Sequence, residues 1–121
     1  IHERRRNSKY KLQHIIEKCV PDVYVPDELS LSETSWFGTP IVCKDKKQKD
    51  KLVKYFEEIK VQTRNYFAGN ILLHPGYSHL DDFKSYPNSN KVLDKVFFIG
   101  ASPHYDDTIF NYIEEQLSKE Y

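Results

Sequence analysis

The sequence has 121 residues, the size of one domain, and its 39% hydrophobic and 14% aromatic residues supply enough apolar surface for a core, which excludes a disordered segment. The 18 basic and 18 acidic side chains cancel, and this balance argues against a dedicated binder of nucleic acid or of anionic membranes. No apolar run approaches the roughly 20 residues that span a bilayer, and the first residues lack the apolar stretch of a signal peptide, so we expect a cytoplasmic protein.

The first predicted element is a helix over residues 3–19, which ends before Pro21. Basic residues on its polar side, Arg4, Arg5 and Lys9, are predicted to face solvent, with packing on a partner domain as the alternative. Its apolar side is defined by the i, i+3, i+4, i+7 spacing of Leu12, Ile15, Ile16 and Cys19. Residues 1–19 therefore form a helix that leads into the domain.

Two extended segments follow this helix. Residues 23–25 lie between two prolines, so they form an edge strand or an extended connector. Residues 36–43 are rich in aromatic and β-branched side chains and are predicted as a strand. Pro40 cannot donate a hydrogen bond to a neighbouring strand and therefore marks an edge or a bulge.

A lysine-rich run at residues 45–51 opens the second predicted helix. Asp45, with Gln48 three residues later, resembles a capping box and places the start of the helix. The lysines are predicted to form its solvent-exposed side rather than a phosphate site, because the apolar residues behind them share one helix face: Leu52, Val53, Phe56 and Ile59.

The second half of the chain begins with a less regular region. Residues 61–67 alternate in polarity and are predicted as a strand, in which Val61 and Thr63 point to one side and Arg64 to the other. A turn follows at residues 68–70, and residues up to Pro87 are predicted to form a long irregular loop.

The last predicted elements are a short helix, a strand and a long helix. The Asn-Ser-Asn run at residues 88–90 offers N-caps for the short helix, and residues 96–99 read as a buried strand before Gly100. The final helix starts near Asp106. This order of elements predicts an α/β fold, a small two-layer α/β sandwich, in a single domain over residues 1–121.

The two cysteines, Cys19 and Cys43, are too few for a disulfide framework, and neither belongs to a Cys-x-x-Cys motif. We interpret both as reduced core thiols, with a single disulfide as the alternative. The chain has no methionine and opens inside a predicted helix, which suggests a fragment of a longer protein.

Arg64 is the clearest candidate for binding chemistry, because a guanidinium on a strand beside a Gly-Asn turn is preorganised to bind a carboxylate or phosphate. A structural ion pair is the equal alternative. The loop residues His74, His79 and Asp81 are of metal-ligand types, but their spacing is not diagnostic. The chain has no Gly-rich phosphate loop, nucleophile elbow or His-Glu-x-x-His motif, so we assign no catalytic, cofactor-binding or metal-binding residue.

Three motifs occur in order: Ser-Trp-Phe-Gly-Thr-Pro at residues 35–40, Thr-Arg-Asn-Tyr-Phe-Ala-Gly-Asn at residues 63–70, and Pro-Asn-Ser at residues 87–89 ahead of an aromatic strand. Together they resemble the C-terminal domain of the DegT/StrS nucleotide-sugar aminotransferase family, and its sugar 3-dehydrase branch most closely. Family aminotransferases tend to show a His-Tyr-x-x-x-His pattern in the second motif, which this chain lacks. Trp36 and Phe37 of the first motif are expected to be packing residues.

The resemblance implies the C-terminal small domain of a fold-type I, pyridoxal phosphate (PLP)-dependent transferase, which closes over an active site built mainly by a large N-terminal domain, commonly in a homodimer. The full-length enzyme would use PLP or its amine form, pyridoxamine phosphate (PMP). The large cofactor-binding domain, with its catalytic Lys or His, is absent from this sequence, so no cofactor is expected in the fragment. When the residue roles of the family are transferred to the matching positions, Arg64 and Asn70 are expected to contact the substrate. Tyr66, Phe67 and Gly69 are expected to shape the loop that bears them.

The implied function is 3-dehydration or transamination of a nucleotide-linked 4-keto sugar in surface polysaccharide or lipopolysaccharide biosynthesis. The residue that distinguishes the two reactions lies outside this sequence. The alternative is a non-catalytic small-molecule-binding or regulatory α/β domain, and a third interpretation is a metal-binding loop protein.

Overall fold

The chain folds into four helices and a three-stranded antiparallel sheet in the computed structural model, which describes all of residues 1–121. The helices are α1 (His2–Cys19), α2 (Lys46–Glu58), α3 (Pro87–Lys95) and α4 (Asp107–Glu120). The strands are β1 (Gly38–Val42), β2 (Arg64–Asn65) and β3 (Val96–Gly100). Two short 3₁₀ turns, Ile71–Leu73 and Phe83–Ser85, lie in the loop between β2 and α3. None of the helices combines the length and the hydropathy needed to cross a bilayer.

The sheet has β3 at its centre, with β1 and β2 antiparallel on either side. Since successive side chains on a strand point to opposite faces, the pairing register divides the sheet into two faces. Ile41, Phe97 and Ile99 belong to the core face, which packs against α1, α2 and α4. Pro40 and Phe98 belong to the opposite face. This arrangement confirms the predicted α/β sandwich.

The helix boundaries follow the local signals in the sequence. Asp45 caps α2, because its carboxylate accepts a hydrogen bond of 2.7 Å from the backbone N–H of Gln48. Asp106 caps α4 in the same way. The extended segment after α1 makes one bridge to the sheet, between Tyr24 and Val42, as expected of an edge connector. These predictions are confirmed.

The strand predicted over residues 61–67 is mostly wrong, because only Arg64–Asn65 pairs with β3. The carboxylate of Glu57, at the end of α2, accepts hydrogen bonds from both the backbone N–H and the hydroxyl of Thr63. This contact holds the segment on the helix end rather than on the sheet. On the other side, Phe67 has a φ of 55° and turns the chain away from β3.

The start of α3 also differs from the prediction. Its N-cap is Tyr86, which makes no side-chain capping bond, and Pro87 occupies the first helical turn. Proline is favoured there because the first helical N–H has no partner in the helix in any case. The Asn-Ser-Asn run therefore lies inside the first turn of α3 rather than ahead of it.

Lys9, predicted to face solvent, is instead completely buried. Its ammonium donates hydrogen bonds to the backbone carbonyl of Pro26, at 2.6 Å, and to the side chain of Gln13, at 2.8 Å. It also lies 4.1 Å from the ring centre of Trp36, which is half-buried and packs against it as expected. Lys9 therefore holds the segment before β1 against α1.

Both cysteines are free thiols, as predicted. Cys43 is in the core, where burial raises its pKa to about 11, whereas Cys19 is half-buried at the end of α1. Because the thiolate is the reactive species, we expect an aromatic disulfide reagent at pH 8 to modify only Cys19 in the native protein and both thiols in denaturant. Cys19→Ser should make the native protein unreactive. Rapid native modification of two thiols would contradict this prediction.

The segment before β1 is also held by an ion pair between Arg6 and Glu28. Two nitrogen–oxygen contacts of 2.7 and 2.8 Å join the two side chains, and the backbone N–H of Thr34 donates to Glu28 at 2.6 Å. The hydrogen bonds from Arg6, and then the one from Thr34, lower the pKa of Glu28 to about 2.

Lowering the pH should therefore reduce the stability of the fold by protonating Glu28. A carboxylate with a lowered folded-state pKa stabilises the protein above its unfolded pKa, near 4.5, and this contribution is lost as the pH falls towards about 2. In urea unfolding we expect Glu28→Gln to be less stable than wild type at pH 7, with the difference closing by pH 2. Glu115→Gln, which alters an exposed ion pair with Lys119, is the matched control. An unchanged difference between pH 7 and pH 2 would count against this assignment.

Candidate functional site

Arg64 lies on the short edge strand β2, where it pairs with Phe98 and therefore shares the face of the sheet opposite the core. Its side chain is exposed and makes no hydrogen bond or ion pair within the chain. One oxygen of the neighbouring Glu57 carboxylate accepts both hydrogen bonds from Thr63. These bonds, and then the positive charge of Arg64, lower the pKa of Glu57. The structural ion pair considered above is not formed, and the donors of the guanidinium are available to an external anion.

Arg64 borders a cavity of about 770 Å³ between β2, the end of β3 and α4. Most of its lining is apolar, from residues such as Ile59, Ile109 and Tyr112. Its two cationic residues are Arg64 and Lys60, and no acidic residue lines it. Its chemistry therefore suits a ligand that combines an anionic group with an apolar or ring-shaped body.

The strand that carries Arg64 is anchored by a buried lysine. Lys49 of α2 donates hydrogen bonds to the side-chain oxygen of Asn65, at 3.2 Å, and to the carbonyl of Leu93, at 2.7 Å. Burial lowers the pKa of Lys49. The prediction that every lysine of this run faces solvent is therefore wrong. Lys49 could have been recognised from its spacing, since it lies three residues before Leu52 on the apolar side of the helix.

Asn70 is buried, and its side chain is fully used inside the chain. Its amide nitrogen donates to Asn90 at 2.7 Å and to the carbonyl of Phe83 at 3.2 Å, and its oxygen accepts from the backbone N–H of Leu72 at 3.0 Å. These three bonds join the loop after β2 to the start of α3. In this structure Asn70 thus holds the loop in shape, and its contact with substrate stays a prediction.

The other two predicted site residues, Gly69 and Tyr66, lie in the same loop. Gly69 has a φ of 65°, and an added Cβ would lie 2.7 Å from the Cβ of Leu93, so only glycine fits. Tyr66 is 40% exposed and packs edge-on against Phe98. Arg64 and Tyr66 therefore share one exposed face around Phe98, whereas Gly69 and Asn70 hold the loop against α3.

The residues considered for a metal do not converge. No group of three or more His, Cys, Asp or Glu side chains could hold a metal ion. His74 contacts the carbonyl of Ala68, and Asp81 accepts hydrogen bonds from Tyr86 and from the backbone of Asp82. The metal-binding interpretation of this loop therefore has no support in the structure.

The family model of the DegT/DnrJ/EryC1/StrS aminotransferases matches residues 1–118. The chain belongs to this family. The family resemblance of its three motifs is thus confirmed over nearly the whole sequence.

Family members similar to this chain are several times longer. The lipopolysaccharide biosynthesis protein RfbH of Salmonella typhimurium is 27% identical, over 98% of this chain and 28% of RfbH. The dTDP-4-dehydro-2,6-dideoxy-D-glucose 3-dehydratase of Saccharopolyspora spinosa is 28% identical, over 83% of this chain and 22% of that protein. The structure of the E. coli GDP-4-keto-6-deoxy-D-mannose-3-dehydratase, which holds hydrated PLP, matches 93% of this chain and 30% of its own with a TM-score of 0.74 and 21% identity. The chain therefore spans under a third of the length of these relatives and shares their fold.

Two buried lysine amines and two helix N-termini, groups of the kinds that hold PLP, are already bonded within the chain. A cofactor lysine needs a free amine, but the buried amines of Lys9 and Lys49 are both hydrogen-bonded to backbone carbonyls. The N-termini of α2 and α4, where a phosphate group would bind, are capped by the carboxylates of Asp45 and Asp106. The exposed surface around Arg64 is the candidate site of this chain.

Proposed function

We propose that this chain is the C-terminal domain of a PLP- or PMP-dependent enzyme that acts on a nucleotide-linked 4-keto sugar in lipopolysaccharide or other surface polysaccharide biosynthesis. Family membership and the names of the relatives support this proposal, and the chain spans under a third of their length. The observation that carries it is the unpaired guanidinium of Arg64 beside a cavity without acidic residues. That the complete protein is cytoplasmic and forms a homodimer remains a prediction.

In this proposal the large domain, encoded before Ile1, binds the cofactor, which supplies the electron sink for chemistry next to the sugar carbonyl. Arg64 binds an anionic group, either a phosphate of the nucleotide or the carboxylate of an amino donor. Lys49 holds Asn65, and with it the strand that carries Arg64, while Gly69 and Asn70 fix the following loop. These residues orient the substrate and take no part in proton transfer.

Of the two reactions, we propose 3-dehydration. The dehydratases among the relatives favour it, as does the Asn-Tyr-Phe-Ala-Gly-Asn motif at residues 65–70. The complete reading frame tests this directly, because His at the cofactor position indicates 3-dehydration and Lys indicates transamination. Incubating the complete protein with PMP and a GDP- or dTDP-linked 4-keto-6-deoxy sugar should give a product without its 3-hydroxyl, detected by mass spectrometry.

The alternative is a binding or regulatory domain without catalysis, which the 770 Å³ cavity would also suit. A reading frame that starts immediately before Ile1 would support it. So would a complete protein that binds a nucleotide sugar but leaves the sugar unchanged in the presence of PLP or PMP.

A further inference from the structure

Arg64 has no side-chain contact that would fix the direction of its guanidinium. It makes no hydrogen bond or ion pair inside the chain, and none of the cation–π contacts of the chain involves it. Phe37, expected to be a packing residue, lines the same cavity but is 71% exposed, so it provides no packed wall for the arginine. The position of Arg64 therefore depends on the backbone that carries it.

That backbone is a strand of only 2 residues, whereas strands usually have about five or six. β2 lies at the edge of the sheet and has a neighbouring strand on one side only. Shortly after it, Phe67 turns the chain away with a φ of 55°. So short a pairing supplies few backbone hydrogen bonds, and we expect that further contacts are needed to hold Arg64 in one place.

Two side chains of α2 supply such contacts, one on each side of Arg64. Before it, a carboxylate oxygen of Glu57 accepts hydrogen bonds from the backbone N–H of Thr63, at 2.8 Å, and from its hydroxyl, at 2.7 Å. After it, the ammonium of the buried Lys49 donates to the side-chain oxygen of Asn65 at 3.2 Å. Positions 49 and 57 are about two turns apart on one helix. A single rigid element therefore holds both chain neighbours of the arginine.

We propose that Lys49 and Glu57 are positioning residues, which raise the affinity of the site by fixing Arg64 before its anion arrives. This rests on the proposed function, in which Arg64 binds an anionic group of the substrate or of the amino donor. A guanidinium makes two parallel hydrogen bonds to a carboxylate or phosphate only in a narrow range of orientations. When the strand is already ordered, the loss of backbone freedom no longer opposes binding.

The variant Lys49→Met in the complete protein tests one side of this arrangement. In calorimetric titrations with GDP, dTDP and glutamate, below the melting temperature, binding should be about 5- to 30-fold weaker than in wild type, the effect of ordering one backbone residue on binding. Lys47→Met makes the same change at an exposed lysine of α2 and should bind like wild type. In the double variant with Arg64→Ala, Lys49→Met should cause no further loss, because a positioning residue acts only through Arg64.

Replacement of Glu57 tests the other side, and the fold should tolerate it even where Lys49→Met does not fold, because Glu57 is exposed. Its negative charge lies near Arg64, so the comparison has to hold that charge constant. Glu57→Gln and Glu57→Ala both lack the charge, but only glutamine keeps an oxygen that can accept from Thr63. We expect Glu57→Ala to bind about 5- to 30-fold more weakly than Glu57→Gln. Glu58→Gln and Glu58→Ala, at an exposed neighbour, should bind equally.

Wild-type affinity in Lys49→Met, or equal affinity of the two Glu57 variants, would overturn the proposal for that residue. A merely structural role would give this pattern, with a lower melting temperature and unaltered affinity of the folded protein. A loss in Lys49→Met that persists when Arg64 is alanine would also overturn it. Arg64→Ala by itself separates this result from the proposed function. If only Arg64→Ala loses affinity, the proposed function stands without the positioning, whereas wild-type affinity in Arg64→Ala removes both the site and its positioning residues.

Discussion

Replacement of Arg64 by alanine in the complete protein should weaken binding of the anionic ligand about 10- to 150-fold, with little change in melting temperature. A charge-assisted bidentate contact contributes about 1.5–3 kcal/mol, and each 1.4 kcal/mol is a factor of ten in affinity. Because Arg64 is exposed and makes no hydrogen bond or ion pair inside the chain, its removal should change the stability of the fold little. Calorimetric titration with GDP, dTDP and glutamate, beside a thermal melt, measures both quantities.

Two other variants test whether the loss of affinity is specific to the guanidinium of Arg64. Arg64→Lys keeps the charge but not the planar fork, so its affinity should fall between wild type and Arg64→Ala. Arg4→Ala removes an exposed arginine of α1 that also lacks an ion pair, and it should leave the affinity unchanged. A loss of stability with unaltered affinity in Arg64→Ala would remove Arg64 from the site.

Replacement of Lys9 by alanine should lower the free energy of unfolding by about 2–5 kcal/mol, as expected when a large buried side chain is truncated and the groups bonded to it lose their partner. The change removes the donors to Pro26 and Gln13 and the cation beside Trp36, and it leaves a cavity in their place. Urea unfolding followed by tryptophan fluorescence suits this test, because Trp36 is the only tryptophan.

Lys9→Met separates the two causes of that loss. Methionine keeps most of the volume but leaves the carbonyl of Pro26 without its donor, so we expect a smaller cost of about 1–3 kcal/mol. Lys11, two residues along α1, is exposed and paired with Asp107, and Lys11→Ala should change the stability by no more than about 1 kcal/mol. Equal stability of Lys9→Ala and Lys11→Ala would show that the buried ammonium contributes nothing.

Features that depend on neighbouring residues could be predicted from the sequence. The cap formed by Asp45 and Gln48 and the start of α4 at Asp106 involve residues three positions apart, and the structure has both. The central strand β3 was predicted from a run of buried-type side chains. The lack of an ion pair at Arg64, by contrast, depends on how the fold places the nearby acid Glu57, whose carboxylate accepts its hydrogen bonds from Thr63.

The sequence by itself determined the order of the elements, the α/β class and, through three motifs, the family, because periodicity, caps and motifs are local properties of the chain. Only the tertiary structure decided which polar side chains are buried. Lys9 donates a hydrogen bond to the carbonyl of Pro26, Lys49 to that of Leu93, and Asn70 to the side chain of Asn90. Each therefore depends on a partner 17 to 44 residues away in the sequence. A lysine or asparagine can be buried only where such partners satisfy it, and no local pattern contains them.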